Sequence, residues 1–367
     1  MDAPFQRLVG RFVPASLPPS GSFDGQTVLI AGASTGIGLA AAVHFATLGA
    51  SVIITSRVAS RVEAAKRHIE EAVGPSYKGD ISCLELDLES YESCTSFMAK
   101  LKTSLPDPAA LDVAILNGGM VNSHWEQSEA GWERTIQINT IGTTLLSLLL
   151  LGWMREARSH RKSPAHIVFV SSRDHLYNDI DPLVRWSQEK DGILRQVSSK
   201  DNWDGGFWET QPNYNVSKLL LMYMIEGVSE LARGPDGEPL VIVNSVCPGM
   251  VKTDIGRHIA TRSWVHAIGV WLTLFVIAKT ADSGSRICVT AALKPKENHG
   301  EFVNYWMTPD MYRGQAESVI GSDKARALQK QVWKEVIDEL KSNVPGLQAS
   351  LDKMCQPAMD TLGKGSI

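Results

Sequence analysis

Short runs of aliphatic and β-branched residues recur along this chain, separated by stretches long enough to hold a helix, and this alternation limits the possible folds more than any other feature. The runs at 27–30, 51–55, 83–86, 113–116, 167–170 and 241–246 are apolar at most positions, with no strict in-and-out alternation. Strands of that kind are covered on both faces, and strands joined by crossover helices run parallel. The pattern predicts an α/β fold with one doubly wound sheet, completed by a seventh strand at 301–305.

Three regions depart from the pattern: 173–212, rich in Asp, Ser, Trp and Gly; 257–278; and the segment from 308, where an amphipathic helix is expected over 323–340. None carries enough strands and helices for a core of its own. The expected organisation is therefore a leader at 1–25, one domain at 26–307 that includes the insert 173–212, and a helical C-terminal extension at 308–367.

Charge and cysteine usage narrow the function classes. Lys plus Arg number 36 against 40 Asp plus Glu, a net charge of -4 with no basic block, so a nucleic-acid partner is not expected. The five cysteines, at 83, 94, 247, 288 and 355, form no Cys-x-x-Cys pair, and no histidine pair has metal spacing. This predicts no metal site and a reducing, cytoplasmic setting, with most cysteines acting as small buried apolar groups. The apolar stretches 145–154 and 264–278 both fall short of the roughly 20 residues a helical span needs, although the second could lie against a lipid surface.

The first strand runs directly into Ala31-Gly32-Ala33-Ser34-Thr35-Gly36-Ile37-Gly38 and then a helical stretch. Glycines there let backbone N–H groups and the positive end of a helix approach a pyrophosphate. Farther along, Tyr214 and Lys218 have the i, i+4 spacing of one helical face, so a phenol and an ammonium can share a cleft. The spacing Gly-x-x-x-Gly-x-Gly, together with Asn117-Gly118-Gly119, Asn139, Ser171-Ser172, Tyr214-x-x-x-Lys218 and Pro248-Gly249-Met250-Val251-Lys252-Thr253 in this order, resembles the short-chain dehydrogenase/reductase family over 26 to about 305. The Val-Ser-Ser-Arg-Asp-His stretch and the long tail are similar to its retinol-dehydrogenase-like and fungal secondary-metabolite branch.

The resemblance implies a Rossmann fold and a catalytic set of Asn139, Ser172, Tyr214 and Lys218. Tyr214 would be the general acid or base, and Ser172, rather than Ser171, would bond the substrate oxygen. Lys218 would lower the tyrosine pKa and hold the nicotinamide ribose, while Asn139 would hold a relay water. Bringing a phenol from about 10 down toward neutrality takes roughly 4 kcal/mol of preference for the tyrosinate. The same likeness assigns coenzyme contacts to Gly32, Ser34, Thr35, Gly36, Ile37, Gly38, Asp87, Leu88, Asn117, Gly118, Tyr214, Lys218, Val251 and Thr253.

The second strand ends in Arg57 with no acid nearby, which favours the 2′-phosphate of NADP(H), although a solvated surface arginine would read the same way. Two positions depart from the family pattern: Ala31 replaces Thr, and Gly118 replaces Ala. Tyr214 follows Ser172 by 42 positions, an unusually long gap. Trp186, Trp203, Phe207, Trp208, Trp264, Trp271, Leu272, Leu274 and Phe275 flank the expected cleft and would suit a hydrophobic small-molecule substrate, or else form satellite core or a subunit contact. His175 reads as a polar loop residue, and 145–154 is apolar enough to contribute to a homodimer.

The expected activity is NADP(H)-dependent interconversion of a carbonyl and an alcohol. The alternatives are a catalytically silent nucleotide-binding scaffold, or a carbon–carbon double-bond reductase or epimerase on the same fold.

Overall fold

The seven runs form seven parallel strands in one sheet, ordered β3-β2-β1-β4-β5-β6-β7. The computed structural model describes residues 15–105, 107, 110–122, 124–203, 213–253 and 278–355. The strands are β1 (Thr27–Ala31), β2 (Ser51–Ser56), β3 (Ile81–Glu85), β4 (Val113–Leu116), β5 (Ala165–Val170), β6 (Val241–Val246) and β7 (Phe302–Val303). The last is shorter than the sequence suggests. The Asn304 side chain accepts from the N–H groups of Trp306 and Met307 at 3.1 and 2.7 Å, which turns the chain out of the sheet.

Strand periodicity divides the core into two layers. Val28 and Ile30 pack with α1 (Gly36–Thr47), α2 (Ala59–Val73) and, C-terminal to the insert, Ala281–Ala292. Leu29 and Ala31 face the opposite layer, which contains α3 (Tyr91–Ser104), α4 (Thr143–Glu156) and Tyr214–Leu231. The insert adds α5 (Asp181–Trp186) and α6 (Gly192–Ser198), so Tyr214–Leu231 is α7 and Ala281–Ala292 is α8. Phe23 of the expected leader is fully buried and meets Phe45 edge-on at 5.0 Å. Residues 1–14 lie outside the described residues.

The C-terminal extension supplies α9 (Pro309–Ala316), α10 (Asp323–Asn343) and α11 (Leu347–Cys355). Thr308 and Ser322 cap α9 and α10 by accepting from Met311 N and Ala325 N, which places helix starts where the sequence has hydroxyl residues. Leu328, Val332, Val336 and Leu340 of α10 and Leu351 of α11 join the same buried cluster as α4 and α7.

The stretch 145–154, expected to be available for pairing, is buried inside its own chain. Leu145, Leu146, Leu148, Leu150 and Leu151 are all fully enclosed, and a Cβ on Gly152 would stand 3.1 Å from Ser350 Oγ on α11. Among the described residues only the helical run Arg134–His160 is long and apolar enough to cross a membrane, and 89% of its apolar window lies inside the protein. The segment 264–277 lies outside the described residues.

Candidate active site

In an open parallel sheet, a crevice forms where the strand order reverses, here between β1 and β4. A cleft of about 370 Å³ lies there, bordered by the β1–α1 turn, the ends of β2 and β3, and the loop after β4. Gly32, Ser34, Thr35, Gly36, Ile37, Arg57, Asp87, Leu88, Asn117, Gly118 and Thr253, all expected on its walls, do line it. Two glycines are required by geometry. Gly32 sits at φ +79° with Gly118 Cα 2.8 Å from where its Cβ would be, and a Cβ on Gly38 would stand 2.2 Å from the Gly32 carbonyl oxygen. Gly38 therefore packs behind the turn instead of lining the cleft, and the Asn117 amide donates to Gly32 O at 2.7 Å to hold it.

The N-terminus of α1 carries neither a side-chain cap nor an acid in its first turn. Its free N–H groups suit a phosphate. Arg57 is exposed at the rim, and Arg61, which the sequence reading did not single out, joins it one helical turn on. This donor set fits a phosphorylated dinucleotide. Asp87 orders its loop by accepting from Glu89 N at 3.0 Å, while its own N–H donates to Ser93 Oγ at 2.9 Å. At Gly118, where the family pattern has Ala, the end of the Leu88 side chain lies beside the Cβ position, with its Cδ1 2.5 Å away. The Val251 side chain packs on Gly284, and Thr253 packs on Gly36.

At the far end of the cleft, Gly119 adjoins the expected catalytic group. A Cβ there would stand 3.2 Å from Asn139 Oδ1 and 3.7 Å from Lys218 Nζ. Lys218 is buried, donates to Val170 O at 3.2 Å, and places its ammonium 5.8 Å from the centre of the Tyr214 ring. Ser171 turns inward and donates to Met222 Sδ at 3.4 Å, whereas Ser172 faces Tyr214 closely enough for its hydroxyl to favour the phenolate. Ser172 Oγ accepts from Asp174 N at 3.2 Å, which leaves the hydroxyl proton free to point outward.

Burial, reinforced by the charge of Asp174 and the Cys247 thiol, pushes the Tyr214 phenol well above its usual range, with the Ser172 hydroxyl acting against that shift. Burial also pulls Lys218 down to about 8. Asn139, fully buried in a π-helical turn (Gln137–Gly142), spends its side chain on protein groups. It donates to Met120 O at 2.9 Å and Ser217 Oγ at 3.0 Å, and accepts from Met120 N at 2.9 Å. Its side chain thus holds the loop carrying Gly119.

Asn213, immediately before Tyr214, is the only non-glycine with positive φ among the described residues, at +62°. Its amide donates to Val197 O at 2.9 Å and to the buried Glu133 at 3.4 Å, and its carbonyl accepts from Ser217 N at 2.8 Å to start α7. No local signal marks this arrangement, because Glu133 is 80 residues away in sequence. Trp186 packs against the main core. Phe207, Trp208, Trp264, Trp271, Leu272, Leu274 and Phe275 fall outside the described residues.

Residues 26–179 match the family model described as short chain dehydrogenase. The chain is 32% identical over 345 residues to the short-chain dehydrogenase/reductase ffsI of Aspergillus flavipes, covering 91% of this chain and 92% of that one. It is 33% identical over 337 residues to the short-chain dehydrogenase/reductase phmF of Phaeosphaeria nodorum, with the same coverage of 91% and 92%. Among solved structures, it superposes on L-sorbose reductase from Gluconobacter frateurii complexed with NADPH and L-sorbose, with a TM-score of 0.57 at 18% identity over 79% of this chain and 98% of that one. It also superposes on 3-oxoacyl-[acyl-carrier protein] reductase from Brucella melitensis in complex with NAD, with a TM-score of 0.54 at 18% identity over 77% and 96%.

Proposed function

Because the chain belongs to the short-chain dehydrogenase/reductase family, we propose that it is an NADP(H)-dependent oxidoreductase that interconverts a carbonyl and an alcohol on a hydrophobic small molecule in secondary-metabolite biosynthesis. The observation that carries this reading is that Lys218 and Asn139 reach Gly119 on the cleft wall, with the Tyr214 ring 5.8 Å from the Lys218 ammonium and Ser172 facing Tyr214. Bound NADPH supplies a hydride at its nicotinamide ring.

The protein's own part is to hold the substrate oxygen and move a proton. Ser172 donates its free hydroxyl proton to that oxygen and fixes its position. Tyr214, kept protonated by burial, holds the proton that passes to the substrate oxygen during reduction. Lys218, beside the ring, stabilises the phenolate left after transfer. Arg57 and Arg61 together offer two planar forks for a 2′-phosphate, which supports NADP(H) over NAD(H).

The test is purified protein with NADPH and a panel of apolar ketones and aldehydes, followed at the nicotinamide absorbance. Tyr214→Phe is expected to lower turnover by about 10²- to 10⁴-fold while NADPH still binds. Arg57→Ala is expected to weaken NADPH binding about tenfold and leave NADH binding unchanged. NADPH binding with no turnover of any carbonyl would favour a silent scaffold, and full activity in Tyr214→Phe would remove the acid role.

A further inference from the structure

The carbonyl of Ser172 accepts twice from one residue, His175: from its backbone N–H at 3.3 Å and from its ring Nδ1 at 2.5 Å. A carbonyl oxygen can only accept, so Nδ1 carries the ring proton, and in a neutral imidazole the other nitrogen is then an acceptor. That nitrogen, Nε2, lies 3.0 Å from the Tyr312 hydroxyl, which must be the donor. Tyr312 belongs to α9 of the C-terminal extension. The chain of bonds therefore runs from the extension, through one imidazole, to the peptide of the serine that faces Tyr214.

The ring has little freedom to leave this arrangement. His175 is completely buried, edge-on to Phe302 at 5.0 Å and to Tyr312 at 5.8 Å, and Phe302 and Tyr312 stack on each other at 4.6 Å. Burial pulls the imidazole down to about 4, so it stays in the neutral form that the two bonds require. The following peptide is held as well, since Arg173 N donates to Cys247 Sγ at 3.2 Å. These bonds hold the Ser172 peptide at its carbonyl and at the N–H that follows, while its hydroxyl accepts from Asp174 N and faces the Tyr214 phenol.

We propose that His175 is a positioning residue for Ser172, locked in its tautomer by Tyr312, so that the C-terminal extension sets the aim of the serine hydroxyl. This rests on the function proposed above, and it adds a residue that touches neither substrate nor coenzyme.

Three variants test it. Tyr312→Phe keeps the ring stack and removes only the hydroxyl; His175→Asn keeps a side-chain N–H near the Nδ1 position; His175→Phe keeps a ring and removes the bond to Ser172. Tyr312→Phe is expected to lower kcat about three- to tenfold, the effect of one hydrogen bond, with KM for NADPH unchanged. His175→Phe is expected to lose more, and His175→Asn to recover most of that loss. A purely packing role predicts the reverse order, with Phe the better substitute.

Hydrogen exchange read by mass spectrometry provides an arm independent of substrate. Tyr312→Phe should speed exchange across 171–178 and leave 32–38 unchanged. Wild-type kcat and exchange in Tyr312→Phe, or His175→Asn no better than His175→Phe, would overturn the proposal. If the wild type reduces no carbonyl in the panel, the functional reading fails, and the exchange arm still decides this one. If His175→Phe does not fold, Tyr312→Phe decides.

Discussion

Lys218 bears two opposing demands. Its ammonium must stand near the Tyr214 ring, yet among the described residues its hydrogen bond is to Val170 O, and burial costs the charged form enough to bring its pKa from 10.5 to about 8. Between those values the unfolded chain holds a proton that the folded chain has released, so this residue makes stability rise with pH from about 8 to 10.5, by at most about 1.4 kcal/mol per unit. Lys218→Met should remove that part of the slope. In urea melts at pH 8, 9 and 10, the stability of wild type relative to the variant is expected to grow at each step; a constant difference would mean the lysine is not the source. Ser172 and Tyr214 meet a simpler requirement, because each needs its proton kept and aimed, and the Asp174 N–H bond and burial do so.

At the scale of elements, close approaches decide which substitutions the site accepts. An added methyl at Gly38 would stand 2.2 Å from a backbone oxygen that cannot move without opening the β1–α1 turn, whereas at Gly118 it would meet only the end of the Leu88 side chain. Gly38→Ala is therefore expected to abolish NADPH binding and cost about 1–3 kcal/mol, while Gly118→Ala should bind NADPH nearly as well as wild type. Equal losses in calorimetry and thermal melts would contradict this. The positions of the strands and the glycine turn were legible in the sequence because they rest on local patterns: apolar runs, a turn after a strand, and the i, i+4 pair of Tyr214 and Lys218. What was not legible depended on partners remote in sequence. Leu88 lying beside Gly118, Glu133 reaching Asn213, and Asn304 ending β7 after two residues all arise from tertiary neighbours or one side chain's turn. His175 read as an ordinary loop histidine because Tyr312 is 137 residues away.

Across the whole molecule, the C-terminal extension covers what the nucleotide-binding layers leave open. Trp333 of α10 lies over α7 where Gly227 makes room, with ring carbons 2.2 Å from the position a Cβ would take. Glu335 accepts from Ile193 N and Leu194 N at 3.1 and 2.7 Å, tying the insert helix α6 to the same element. Trp333→Ala should cost about 3 kcal/mol and lower the thermal midpoint without changing NADPH affinity; loss of binding at full stability would argue against a purely supporting role. The apolar stretch 145–154 is buried within its own chain, with Gly152 facing Ser350 on α11. Because Tyr312, Trp333 and Glu335 all come after the last strand, a nascent polypeptide can complete its sheet and still lack the cover of α7 until α9 and α10 have left the exit tunnel.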